Sequence, residues 1–216
     1  MISYQGKKIL VTDDEPDIVE IISGMLQRIG CTTLKAYNGK QCLDIAAVER
    51  PDLIFLDIMM EHMDGWEVAS RIKGDEDLKD IPIIMVTAKP LTLEDVRDRS
   101  QLIENYIMKP VNTATLRDAL DDVFTARSRL ERIVNMASKS GVKDEIIENL
   151  QEKYVQLYKM NRTQQKLYSL ISQIYTEKRL QENPGLKNTI ISLKKGIDSQ
   201  EHELKRLEEV LVNPQV

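Results

Sequence analysis

Leu53-Ile54-Phe55-Leu56-Asp57 is the stretch on which the fold turns. Pro51 resets the chain just before it. Four consecutive apolar residues leave no polar face, as in a central strand of a parallel sheet, buried on both sides. Three similar runs occur elsewhere: Ile9-Leu10-Val11, Ile83-Ile84-Met85-Val86 and Tyr106-Ile107-Met108. Each run leads into residues that carry chemistry: Asp13-Asp14, Asp57, Thr87 and Lys109-Pro110. In a parallel sheet the C-terminal strand ends share one edge, and open α/β sheets place their sites there. Three carboxylates, one hydroxyl and one ammonium thus converge from distant positions, a set suited to a divalent cation and a phosphoryl group.

Helical segments separate the strands. Pro16 opens a helix whose apolar face holds Ile18, Ile21, Ile22, Met25, Leu26 and Ile29, and Gly30 stops it. Residues 31–36 read as a strand, Asn38-Gly39 as a turn, and 41–49 as a helix packing through Leu43, Ala46 and Ala47. Residues 66–73 and 92–102 complete the helices, and Asn112 is placed to cap the next one. Five βα repeats predict a doubly wound, five-stranded parallel sheet.

Beyond Asn112 the pattern is helical only. The first helix runs past the domain edge through Leu116, Leu120, Val123, Phe124, Leu130, Ile133, Val134 and Met136 to about Ser138, with Ser140-Gly141 as a break. From Asp144 to about Glu182, Ile147, Leu150, Tyr154, Leu157, Asn161, Gln164, Tyr168, Ile171 and Tyr175 alternate in steps of three and four. That is a heptad seam with two polar interruptions. Asn183-Pro184-Gly185 forms a corner, and Leu186, Ile190, Leu193, Ile197, Gln200, Leu204, Leu207 and Leu211 repeat the spacing. An antiparallel hairpin follows. Ile146, Leu167 and Leu170 need another partner, either the preceding helix or a second chain. A polar seam residue often sets oligomeric state, so a homodimer is expected. The boundaries are 1–125 for the α/β domain and 126–216 for the helical one.

The 216 residues are 42% hydrophobic and 30% charged. No apolar run reaches the ~20 residues of a bilayer span, and no signal peptide is evident, so no membrane insertion and a cytoplasmic setting are expected. Cys31 and Cys42 read as reduced structural thiols. Residues 1–125 carry 14 basic against 23 acidic side chains, consistent with a cation site; residues 126–216 carry 16 against 12. That mild excess does not argue for nucleic acid.

Residues 5–125 resemble the receiver domain of a two-component response regulator, similar to the chemotaxis-type single receivers. The resemblance rests on Val11-Thr12-Asp13-Asp14-Glu15, Leu56-Asp57-Ile58-Met59-Met60, Met63-Asp64-Gly65, Val86-Thr87-Ala88 and Lys109-Pro110. It implies a flavodoxin-like fold and Mg²⁺ held by Asp14, Asp57 and the Met59 carbonyl, with Asp13 acting through water. It also implies phosphoryl acceptance on Asp57 from a sensor histidine kinase, aided by Lys109, and a switch pair of Thr87 and Tyr106. Such a domain is a phosphoryl acceptor and not an enzyme in the ordinary sense. The Lys109-Pro110 bond is open to the cis form. One position departs from the pattern: Glu61 stands where the family often has Pro, which implies a looser loop and extra negative charge at the mouth.

Several residues have simpler readings. Asp64 is a turn or capping residue, Trp66 a packing aromatic and His62 a loop residue. Glu201-His202-Glu203-Leu204-Lys205 resembles the phosphorylated segment of kinase dimerisation helices, but Arg206-Leu207 breaks the resemblance, and these residue types are common in any solvated helix. Tyr154, Tyr158, Tyr168 and Tyr175 at helical spacing fit a seam better than base stacking. The helices are too long for a helix-turn-helix. A helical tail engaging a downstream protein partner is therefore the leading reading, with a DNA-binding tail or a phosphotransfer module at His202 as alternatives.

Overall fold

The computed structural model describes residues 4–88, 95, 98–139, 143–174 and 184–212. In chain order these form β1 (Lys8–Thr12), α1 (Pro16–Ile29), β2 (Thr32–Ala36), α2 (Gly39–Glu49), β3 (Leu53–Asp57), α3 (Gly65–Gly74), β4 (Ile83–Thr87) and a 3₁₀ turn (Ser100–Leu102). There follow β5 (Asn105–Met108), α4 (Thr113–Lys139), α5 (Asp144–Ile174) and α6 (Pro184–Val212). Of the helix expected over 92–102, residues 92–94, 96 and 97 lie outside the described residues, and Ser100–Leu102 form the 3₁₀ turn. The chain divides into two compact units, 1–90 with 102–125, and 91–101 with 126–216.

In the first unit five parallel strands take the order β2-β1-β3-β4-β5. Alternate residues serve opposite faces. Ile9, Val11, Leu53, Phe55, Ile84 and Val86 pack with Val19, Ile22 and Leu26 of α1 and Leu116, Leu120, Val123 and Phe124 of α4. Leu10, Ile54, Leu56, Ile83 and Met85 are also fully buried. This double burial explains the unbroken apolar runs. On α1 the buried line is Val19–Ile22–Leu26; Ile18, Met25 and Ile29 flank it. Ile21, expected on this face, is instead exposed. A helix lying flat on a sheet buries one narrow line fully, and Ile21 falls on its far side. On α2, Ala46 is buried as expected and Leu43 half-buried, but Ala47 is exposed and Cys42 is buried in addition.

The helix ends follow from their capping residues. Pro16 occupies the first turn of α1, and Gly30, at φ 106°, closes it, with Gly30 N–H on the Gln27 carbonyl and Cys31 N–H on that of Leu26. Asn38-Gly39 is not a free turn: Asn38 Oδ1 accepts from Gln41 N–H at 2.9 Å while Gln41 Oε1 accepts from Tyr37 N–H at 2.8 Å, so α2 starts at Gly39. Asn112 Oδ1 caps α4 through Thr115 N–H at 2.9 Å. Cys31 and Cys42 are free and buried, and burial pushes both thiols up to about 11. Ser23 is buried on α1, and its hydroxyl has no hydrogen-bond partner among the described residues. Ser23→Ala removes that burden and is expected to stabilise the fold by about 1 kcal/mol. A rise in the thermal midpoint without any change in the cooperativity of unfolding checks this.

In the second unit α4, α5 and α6 form a helical bundle. Ile133, Val134 and Ala137 of α4 pack on Ile147 and Leu150 of α5. Tyr154, Leu204 and Leu207 form a further layer with Leu130, Leu157 and Tyr158. α5 and α6 run antiparallel, as their pairs show: Lys153 to Glu203, Tyr154 to Glu208 and Asn161 to Ile197. The partner sought for the hairpin is thus in part α4 itself. The polar interruptions pair within one chain: Asn161 Nδ2 donates to the Ile197 carbonyl at 3.0 Å, and Gln200 Nε2 to Gln164 Oε1 at 3.2 Å. Leu167 is buried and Ile146 half-exposed. Pro184 and Gly185, expected in the corner, belong to the first turn of α6. A proline is suited to that position because the N–H it lacks would have no helical acceptor. Ser140-Gly141, Tyr175 and Asn183 lie outside the described residues, as do the side chains of Leu170, Ile171, Leu186 and Leu211. Among the described residues no helix is long and apolar enough to cross a membrane.

Candidate functional site

The site lies where the strand order reverses, between β1 and β3, at their C-terminal ends. Asp13 and Asp14 follow β1, and Asp57 is the last residue of β3. Oxygens of the three carboxylates lie within 4.8 Å of one another. Asp13 and Asp57 are almost fully buried, and Asp14 is half-buried. β5 delivers the counter-charge: the Lys109 ammonium is 2.8 Å from Asp13 Oδ2 and 2.9 Å from Asp57 Oδ1. Lys109 N–H donates to the Thr87 carbonyl at 2.8 Å, which extends the β4–β5 ladder to the site. The Lys109-Pro110 bond is cis.

Backbone donors fix the carboxylates. Met59 N–H donates to Asp57 Oδ2 at 2.7 Å, Glu15 N–H to Asp13 Oδ1 at 3.1 Å, and Glu61 N–H to Asp14 Oδ2 at 3.1 Å. The Met59 side chain is exposed. Asp64 caps α3 by accepting from Glu67 N–H at 2.8 Å, and Gly65 N–H donates to the Ile58 carbonyl at 3.0 Å. Trp66 is buried in the first turn of α3, a packing aromatic as expected.

Burial raises the Asp57 carboxyl above its ordinary value; the Lys109 ammonium opposes this, Asp13 adds to it, and Met59 N–H opposes it. Burial pulls Lys109 down, but Asp13 and Asp57 outweigh that, so its ammonium is held more firmly than usual. Two buried carboxylates share the Lys109 ammonium and a third lies beside them, an excess of negative charge that suits a hard divalent cation. Oxygen-only donors are what Mg²⁺ takes.

Thr87 and Tyr106 are both buried, on the neighbouring strands β4 and β5. Burial pushes the Tyr106 phenol up to about 12. Asp13, Asp14, Asp57 and Lys109, expected from the sequence, come together here, whereas the three backbone N–H donors leave no mark on residue type and are not legible in it. In the tail, Tyr154 donates to Glu208 at 2.7 Å and stacks on Tyr158 at 6.2 Å, so both rings belong to the packing. His202 is exposed on α6, where its neighbours Glu201 and Glu203 bind Gln165 and Lys153 of α5.

Strand order 2-1-3-4-5 with an acidic cluster at the reversal defines a receiver-type α/β unit. The chain belongs to the response regulator receiver family, whose profile matches residues 9–121. A second profile, described as Metanogen output domain 2, matches residues 126–215. Protein PilH of Pseudomonas aeruginosa is 32% identical over 117 residues, covering 54% of this chain and 97% of that protein. The phosphate regulon transcriptional regulatory protein PhoB of the same species is 40% identical over 111 residues, 51% of this chain and 48% of PhoB. The chemotaxis protein CheY4 of Vibrio cholerae superposes with a TM-score of 0.51 at 28% identity, covering 54% of this chain and 97% of that structure.

Proposed function

We propose that the chain is a Mg²⁺-dependent phosphoryl acceptor, charged at Asp57 by a sensor histidine kinase and read out through its helical tail. The observation that carries this reading is Asp57 itself: a buried carboxylate gripped at one oxygen by Lys109 and at the other by Met59 N–H, beside Asp13 and Asp14. Asp14, Asp57 and the Met59 carbonyl would hold the cation, with the Asp13 carboxylate beside them. Bound there, Mg²⁺ neutralises charge on the phosphoryl oxygens and on the crowded carboxylates. An Asp57 oxygen forms the new O–P bond as the P–N bond of the kinase phosphohistidine breaks, and the freed imidazole takes a proton from solvent. Lys109 balances the charge that Asp57 accumulates. The chain performs no turnover beyond gaining and losing this group.

Thr87 then bonds a phosphoryl oxygen, and Tyr106 follows it inward; a bias of a few kcal/mol suffices to shift such a population. Residues 1–125 act as receiver and 126–216 as output, joined by the continuous helix α4. The tail forms a homodimer and engages a downstream protein in the cytoplasm. Exposed Met136, Ile146 and Val210 support an apolar contact there.

Beryllofluoride with Mg²⁺ tests the coupling on the full chain. The expected result is a change in dimer mass or in hydrogen exchange across α5 and α6; no change in either sinks the proposed output. Salt-dependent binding of duplex DNA in the same series moves the reading to a transcriptional tail.

A further inference from the structure

Glu61 occupies the position at which the chain departs from the receiver pattern, and its backbone, not its carboxylate, makes the contacts. Its N–H donates to Asp14 Oδ2 at 3.1 Å, across from the β3–α3 loop to the β1–α1 loop. Its carbonyl accepts from Met63 N–H at 2.8 Å, closing a tight turn around His62, whose φ is 64°. Both backbone groups of Glu61 are therefore engaged. A proline has no N–H and cannot make the first bond. We infer that the Glu61 backbone N–H is a latch that holds Asp14, and with it the loop of metal-ligating carboxylates, to the acceptor loop that follows Asp57. Glu61 is a positioning residue: it acts on the cation through Asp14.

The physical sense is preorganisation. Asp14 is the least buried of the three carboxylates and the one without a Lys109 contact among the described ion pairs. A charge-assisted hydrogen bond restricts its rotamers and orients its oxygen set before the cation arrives. The neighbouring loop shares the cost, because the turn at His62 holds Glu61 in place. The inference rests on the Mg²⁺ reading of the site.

Two variants isolate the N–H. Glu61→Gln and Glu61→Pro both remove the carboxylate, but only Glu61→Pro removes the donor. The Mg²⁺ dissociation constant of the full chain is measured by calorimetry for each. The expected result is that Glu61→Pro binds about fivefold or more weakly than Glu61→Gln, the scale of one charge-assisted bond. Equal affinities within about twofold overturn the latch. A second measurement needs no proline. In the metal-free protein the Glu61 amide proton is followed by NMR in the parent and in Asp14→Ala. Loss of the acceptor is expected to move that resonance upfield and speed its exchange about tenfold. An unchanged Glu61 amide overturns the latch. A parent chain that ignores Mg²⁺ overturns the cation reading of the site, and the amide measurement still decides the latch by itself.

Discussion

Asp57→Asn is expected to abolish labelling by acetyl phosphate and, at the same time, to raise the thermal midpoint of the metal-free protein at neutral pH. The first effect follows from chemistry: an amide is not the anionic nucleophile that the acceptor must be, and no other carboxylate lies at the end of β3. Label incorporation at the parent level would remove Asp57 from its role. The second effect follows from electrostatics. Asp57 is buried beside Asp13, and its carboxyl is raised. A raised folded-state value means that the fold binds this proton more readily than the unfolded chain does. Stability is therefore lost as pH rises from the ordinary carboxylate range through the folded value, and the loss is complete above it. Asn carries no such loss, so the variant's advantage should grow as pH rises above the ordinary carboxylate range and fade on acidification into it. Lys109 keeps Asp13 as its partner in the variant, so no buried ammonium is stranded. Mg²⁺ should raise the midpoint of the parent by mass action and that of the variant far less. An equal metal-induced rise in both proteins would show that Asp57 does not contribute to the cation site.

The fold was legible because the strands of a doubly wound sheet are buried on both faces. Their apolar runs need no phase to be recognised, and the chemistry comes directly after each of them. Helix phase was less legible. The α1 segment has seven Ile, Val, Leu and Met residues in fourteen, so composition alone does not say which line faces the sheet, and Ile21 and Val19 exchange the expected places. Asn38-Gly39 carried two signals at once, turn and helix cap; Gln41, three residues after Asn38, was the mark that decides for a cap. Asn161, Gln164 and Gln200 were legible as polar interruptions, but their pairing was not. Periodicity places a residue on a seam without saying whether the opposing helix comes from the same chain. The carboxylates and Lys109 were found by type and position, and the Met59, Glu15 and Glu61 N–H groups that orient them were invisible. The site is therefore half side chain, which sequence displays, and half backbone, which only the fold creates.

Gly65→Ala is expected to be the most damaging small substitution in the receiver unit. A Cβ at Gly65 would stand 2.2 Å from the Asp57 carbonyl oxygen and 3.0 Å from Ile58 Cα. Those atoms are backbone at the end of β3, so no side chain can swing away. Gly65 N–H is already committed to the Ile58 carbonyl at 3.0 Å, which draws α3 against the acceptor loop. Its φ is not left-handed; the need is for space alone. Relief requires either α3 or the Asp57–Ile58 peptide to move, and both Asp57 contacts, to Met59 N–H and to Lys109, depend on that peptide. Overpacking of this kind costs about 1–3 kcal/mol, more when backbone must shift. For a domain of this size that lowers the thermal midpoint by about 10 °C. Acetyl phosphate labelling should fall about tenfold even well below the midpoint, since sub-ångström misplacement of a nucleophile is costly. Gly74, nine residues later on the same helix, is the control: a Cβ there meets nothing within 4 Å. Gly74→Ala should be neutral or stabilising by up to about 1 kcal/mol, with labelling unchanged. If Gly65→Ala unfolds and labels like the Gly74 variant, the close packing of α3 beneath Asp57 does not set the geometry of the site.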